Sequence, residues 1–304
     1  MAKNKISYDI PEVLYYYCDI KTFMSIIESN TIWLTDIKFM NDTMEGKWFF
    51  KKFREICTKD KRFDHSRKAY NPKYITPLID PTMTERLDFF EESHMQHSSD
   101  IHIICFSEHN DSLSLWRGYA DDGKGIAIGF DTKSLGAYIF NDIEEFAPYL
   151  NQHWLMLSKV KYNEHEYLSS IEKHIDFILN PISRYLVSVN SPSIELHSIL
   201  CKNIKFSEEN EWRLIAKQPD FFDENDRKEF GDKIERRKKF RLTNYGISSY
   251  LEYIPDNLTK LPIQEIVIGP KCITPKETIE HYLNHHGFDM LGSINVYSSE
   301  LTYR

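Results

Sequence analysis

Nowhere in the 304 residues do about 18 apolar residues follow one another, so no membrane-spanning helix is expected. Internal repeats and low-complexity tracts are also missing. Cysteine is scarce and scattered: Cys18, Cys57, Cys105, Cys201 and Cys272 are odd in number and form no Cys-x-x-Cys pair. That argues against a disulfide framework or a structural zinc site. Asp122-Gly123-Lys124-Gly125 lacks the glycine and Ser/Thr pattern of a P-loop, which sets ATP hydrolysis aside. The polar opening stretch has no apolar core or cleavage site, so a secretory signal is not expected and the default address is a reducing cytoplasm. Aromatic residues, by contrast, reach 14%, too many for a disordered chain. Asp and Glu outnumber Lys and Arg, 46 to 38, giving a formal charge of −8. An acidic balance argues against nucleic-acid binding over the whole surface but not in a local basic groove.

Val13 to Cys18 is rich in aromatic and branched residues and reads as a strand. Asp19 is a plausible N-cap for a helix whose Ile20, Phe23, Met24 and Ile27 recur at helical spacing and which Asn30 can end. Thr31 to Thr35 predicts a short strand. Asp100 to Phe106 is a nearly continuous apolar run, suited to a strand buried on both faces. A short helix over Leu113–Tyr119 leads into a tight turn at Asp121 to Gly125. Ile126 to Phe130 follows as a strand whose glycine predicts a close approach. Further strands are expected at 159–162, 210–216, 264–269 and 293–297. Residues 217–241 read as a charged loop ending in the basic run Arg236 to Arg241. Thr274-Pro275-Lys276-Glu277 reads as a capping box with proline at the first helical position. The irregular mixture of strands and helices predicts one α+β domain over residues 1–304. Its core is mainly antiparallel, with helical insertions at about 47–98 and 165–203.

Four stretches could carry chemistry. In Glu209-Asn210-Glu211-Trp212-Arg213, strand alternation places Glu209, Glu211 and Arg213 on one face and Trp212 with Leu214 on the other. One reading is a salt-bridged, solvent-facing edge strand. The other is a rigid acidic site able to stabilise positive charge developing on a sugar ring. Cys105-Phe106-Ser107-Glu108 ends a buried strand in a hydroxyl and an acid. Leu115-Trp116-Arg117-Gly118-Tyr119 flanks an arginine with aromatics, which suits a phosphate beside a stacked ring, or else a structural arginine. Asn41 and Asp42, with Glu45, read alone as a turn. His94, His97 and His102 match no familiar metal-ligand spacing, so no metal is assigned. The basic run Arg236 to Arg241 reads as a solvated loop, or more sharply as a phosphate contact.

These motifs, with Phe39-Met40-Asn41-Asp42 before them and Ile266-Val267-Ile268-Gly269-Pro270 after them, resemble domain of unknown function 2971, a mostly bacterial family. The order of elements more distantly resembles the ADP-ribosyltransferase superfamily. That second resemblance implies a split, mainly antiparallel sheet that clamps NAD, and transfer of ADP-ribose to a macromolecular acceptor, protein or nucleic acid, in toxin or phage-defence biology. It implies Tyr16 or Tyr17 at the first-strand position, Ser107 at the middle strand and Glu211 as the catalytic glutamate. Glu209 would orient the acceptor, and Asn41, Asp42, Trp116, Arg117, Tyr119 and Arg213 would complete the nucleotide site. The familiar transferases carry Arg or His on the first strand, where this chain has Tyr15-Tyr16-Tyr17. The cofactor grip therefore has to come from elsewhere, with Arg117, Lys124 or Arg213 as candidates. A nucleotide-sensing module without catalysis is the alternative, and a metal-dependent nuclease built on Asp42, Glu45 and Glu211 is a further one.

Overall fold

A computed structural model describes residues 10–39, 47–59, 101–140, 154–163, 192–217, 234–243, 246–288 and 294–303. Most of the two expected helical insertions and the turn holding Asn41 and Asp42 lie outside the described residues.

The run of branched and aromatic residues at Val13–Cys18 forms β1, and helix α1 follows over Ile20–Ser29. The Asp19 side chain accepts a hydrogen bond from the Thr22 amide at 2.6 Å, and Asn30 closes the helix in the left-handed conformation. Strand β2 covers Ile32–Asp36. Helix α2 is Lys47–Lys59. Strand β3 is Ile101–Ser107, helix α3 is Leu113–Tyr119 and β4 is Ile126–Asp131. The short β5 (Tyr138–Ile139) and β6 (Leu155–Lys159) follow. Helix α4 is Pro192–Leu200, and β7 is Glu211–Lys217. The chain continues through β8 (Lys238–Thr243), β9 (Gly246–Tyr253), β10 (Ile263–Ile268), helix α5 (Lys276–His285) and β11 (Asn295–Ser298).

The result is a mixed fold around a curled, mostly antiparallel sheet. Its main path runs β11-β10-β4-β1-β3-β2-β9-β8, and β7, β6 and β5 branch from the other edge of β3. Only β10–β11 and β5–β6 pair in parallel. One core lies inside the curl, where Leu14, Phe106, Ile128, Trp212, Leu214 and Leu251 meet α1 and α5. On the outer face, α4 covers Ile101, Ile103 and Ile215, while α3 covers Tyr15, Tyr17 and Val267.

Strand β3 is a fork. Along one edge its first residues pair with β2 (Thr35 opposite Ile103, Asp36 opposite His102) and its last with β1 (Tyr15 opposite Ser107). Ile104, Cys105 and Phe106 are paired on that edge with neither strand, although all three pair with β7 on the other. The divergence of β1 from β2 opens a cleft at this point.

Several sequence expectations need correction. The strand expected at 159–162 lies earlier, at Leu155–Lys159, where Leu155, Met156 and Leu157 are buried. Lys161 makes only an isolated bridge to Cys201. Glu209 does not belong to β7: it ends a 3-10 turn over Ile204–Glu209, and Asn210 turns left-handed (φ 42°) before the strand begins. Nor is β7 a solvent-facing edge, because it runs between β3 and β6 and is buried throughout. The expected loop at 217–241 gives way at Lys238 to β8, where pairing with β9 overrides the density of charge. Pro275 is the N-cap of α5 rather than its first residue. Gly129 does mark a close approach: a Cβ there would lie 2.9 Å from Val13 and 3.0 Å from the Tyr15 ring.

Candidate functional site

The fork opens into a cleft of about 350 Å³, within the range of small-molecule sites. Residues of three strands line it: Tyr15, Tyr16 and Tyr17 from β1, Cys105 and Ser107 from β3, and Trp33 and Thr35 from β2. Tyr119 closes one side, and Lys202, Glu209 and Glu211 another. Arg241 reaches in from β8.

The acidic end is tightly wired. Ser107 stands directly opposite Glu211 across β3 and β7, and Cys105 opposite Arg213. Lys202 donates to Glu209 at 2.7 Å and to Glu211 at 3.1 Å. Arg213, fully buried, donates through Nε to Glu211 Oε1 at 2.7 Å and also bonds the Ile199 carbonyl. Burial pushes the Glu211 carboxyl up, but Arg213 and then Lys202 outweigh it and hold the group down at about 2. Glu211 is therefore an anion at neutral pH. Lys202 loses some affinity for its proton through burial, yet its two carboxylates raise it above the usual lysine range. The Tyr119 hydroxyl donates to Glu209 Oε1 at 2.7 Å, and burial together with that carboxylate pushes the phenol well above its ordinary value.

The loop after β3 is held by fixed polar contacts. Ser107 Oγ donates to the Glu209 carbonyl at 2.7 Å and accepts from the His109 amide at 3.0 Å. The Tyr17 hydroxyl donates to the His109 carbonyl at 2.9 Å and accepts from the Ser112 amide at 3.1 Å. Glu108 accepts from Asn210, Trp212 and Lys159, each at 2.7 Å or less. These contacts lock the start of β7 to the end of β3, which fixes the cleft floor.

Of the residues singled out from the sequence, Tyr16, Tyr17, Ser107, Tyr119, Glu209 and Glu211 come together on this cleft. Arg213 lies behind Glu211 as its partner. Trp116 is fully buried against the Tyr17 ring and donates to Asp111 at 2.6 Å, away from the cleft. Arg117 turns outward toward Asp122 and the ring of Tyr303, and Lys124 faces Asp121. Asn41, Asp42 and Glu45 lie outside the described residues. No group of three His, Cys, Asp or Glu able to hold a metal occurs among the described residues.

Of the charged cleft residues, Asp19, Lys202 and Arg241 were not assigned to the site from the sequence, although the basic run that holds Arg241 was read in one sense as a phosphate contact. Strand β8 inverts the usual pattern: Phe240 and Leu242 face solvent while Arg241 faces in. Its NH2 donates to Thr35 Oγ1 at 3.0 Å, and its guanidinium lies 5.6 Å from the Trp33 ring and 5.9 Å from that of Tyr250. The alternation of apolar and basic residues at 238–242 was the available signal, masked by the charge of the run.

No curated protein and no solved structure matches the chain. Residues 115–214, which carry Tyr119, Lys202, Glu209, Glu211 and Arg213, match the model of a family described as a protein of unknown function, DUF2971.

Proposed function

We propose that the cleft takes NAD as substrate and that the chain is an ADP-ribosyltransferase-like enzyme acting on a macromolecule. One observation carries the reading: a cleft lined with aromatic rings has an ionised carboxylate, Glu211, fixed on its floor by two cations. Cleavage of the nicotinamide–ribose bond sends its electron pair to nicotinamide and builds positive charge at the ribose carbon. A fixed carboxylate beside that carbon stabilises the charge without reorganising. An acceptor nucleophile then bonds to the same carbon and gives its proton to a base, the role of Glu209. One tyrosine ring of β1 on the cleft wall supplies surface for the nicotinamide, since Tyr16 and Tyr17 project to opposite faces of the strand.

The test is release of nicotinamide from NAD with pools of protein and nucleic-acid acceptors. Glu211→Gln lowers the rate by about 100-fold or more, with the folded fraction of the variant confirmed by circular dichroism at the assay temperature. NAD binding without nicotinamide release from any pool removes the transferase reading.

A specific observation favours a second reading, a nucleotide-sensing module without turnover. Both Glu211 oxygens are already engaged by Lys202 and Arg213, as in a structural ion cluster.

A further inference from the structure

We infer that Arg241 is the anion anchor of the cleft and binds a phosphate or pyrophosphate group of its ligand. This rests on reading the cleft as a nucleotide site, but its chemistry is separate from that of Glu211.

The other charged groups that line the cleft are already committed to partners. Glu209 and Glu211 share Lys202, and Arg213 adds its charge to Glu211. Asp19, also on the cleft wall, is occupied capping α1 through Thr22. Arg241 differs: among the described residues it makes no salt bridge, and its buried Nε has no hydrogen-bond partner. A buried N–H without a partner is costly, and a guanidinium presents a planar fork suited to two phosphate oxygens. The fork is also held in advance. Trp33 on β2 and Tyr250 on β9 lie with ring centroids 4.3 Å apart and both rings flank the guanidinium, while Thr35 takes one of its N–H groups. Three adjacent strands thus orient one uncommitted cation toward a cleft whose other described cation is neutralised. This arrangement supplies the grip that Arg117, Lys124 and Arg213 do not.

Calorimetric titration with inorganic pyrophosphate, ADP-ribose and nicotinamide riboside tests the assignment. Wild type binds pyrophosphate and ADP-ribose. Arg241→Met weakens both by tenfold or more, a loss of about 1.4 kcal/mol or more. Arg241→Lys, which keeps the charge and loses the fork, falls between. Nicotinamide riboside, which has no phosphate, binds wild type and Arg241→Met alike. Thermal melts confirm that both variants are folded. Unchanged affinity in Arg241→Met, an equal loss for the riboside, or no binding of either phosphate ligand by wild type overturns the proposal. Arg241-dependent pyrophosphate binding without NAD cleavage keeps the anchor and removes the transferase reading.

Discussion

Arg213 and Glu211 stand two residues apart on one strand and still meet in two hydrogen bonds, Nε to Oε1 at 2.7 Å and NH2 to Oε2 at 3.2 Å. Side chains at this spacing share a face, and here Arg213 is fully buried and Glu211 nearly so, with its carboxylate at the cleft floor, so the pair works as a single buried unit. Whatever Glu211 does to a ligand, it also neutralises an arginine that has no access to solvent.

Glu211→Gln therefore destabilises the fold by about 3–5 kcal/mol at neutral pH, because it leaves Arg213 buried without its counter-charge. The folded-state pKa of Glu211 is depressed to about 2 from an ordinary 4.5. The stability it contributes is thus fully present above pH 4.5 and is lost as pH falls toward 2. The size of this acid-sensitive part is on the order of 3 kcal/mol. Urea melts of wild type and Glu211→Gln at a series of pH values should show a gap that is constant near neutrality and narrows through that acid window. A gap independent of pH would refute the assignment.

Asn210 holds the left-handed turn that feeds β7, and its side chain donates to Glu108 at 2.6 Å. Asn210→Ala loses both the tolerance for positive φ and the bond to a carboxylate, a cost of about 2 kcal/mol. Chemical denaturation measures it. Because Glu108 also accepts from Trp212, indole fluorescence reports whether the loop stays in place.

Gly125 and Gly118 make opposite predictions for the same substitution. A Cβ at Gly125 would lie 2.0 Å from the Cys18 carbonyl oxygen, a contact that only backbone movement relieves. Gly125→Ala costs about 3 kcal/mol. At Gly118, inside α3, a Cβ meets nothing within 4 Å. Gly118→Ala therefore stabilises the helix by about 0.5 kcal/mol. The two melting temperatures move in opposite directions relative to wild type.

Much of the fold was legible because local signals agreed with tertiary demands. Aromatic and branched residues marked β1, the apolar run marked β3, and Asp19 and Asn30 marked the ends of α1. Residues 238–243 failed because the charge of the run hid one arm of a local hairpin, whose other arm, β9, begins at Gly246. Glu209 failed because one left-handed residue, Asn210, breaks the alternation that would have placed it on β7. It still reaches Lys202, so face-sharing pointed to the right neighbourhood for the wrong reason. The acids were legible as a motif. Arg241 was legible only as one member of a basic run, because the contacts that single it out come from Tyr250 on the next strand and from Trp33, far from it in sequence.

The fork at β3 also sets the order in which the protein can acquire its cleft. One wall needs β1, whose long partner is β4 about a hundred residues later. The other needs β2, which pairs with β9 as far on as Tyr253. Closing such loops comes late in folding. A nascent chain that ends before β9 lacks Arg241's neighbour Tyr250 and the partner strand of Trp33. It carries the acids without the opposing wall. On the proposed reading, nucleotide binding reports completion of the fold: truncation before β9 is expected to abolish it in a calorimetric titration, even with Glu211 intact.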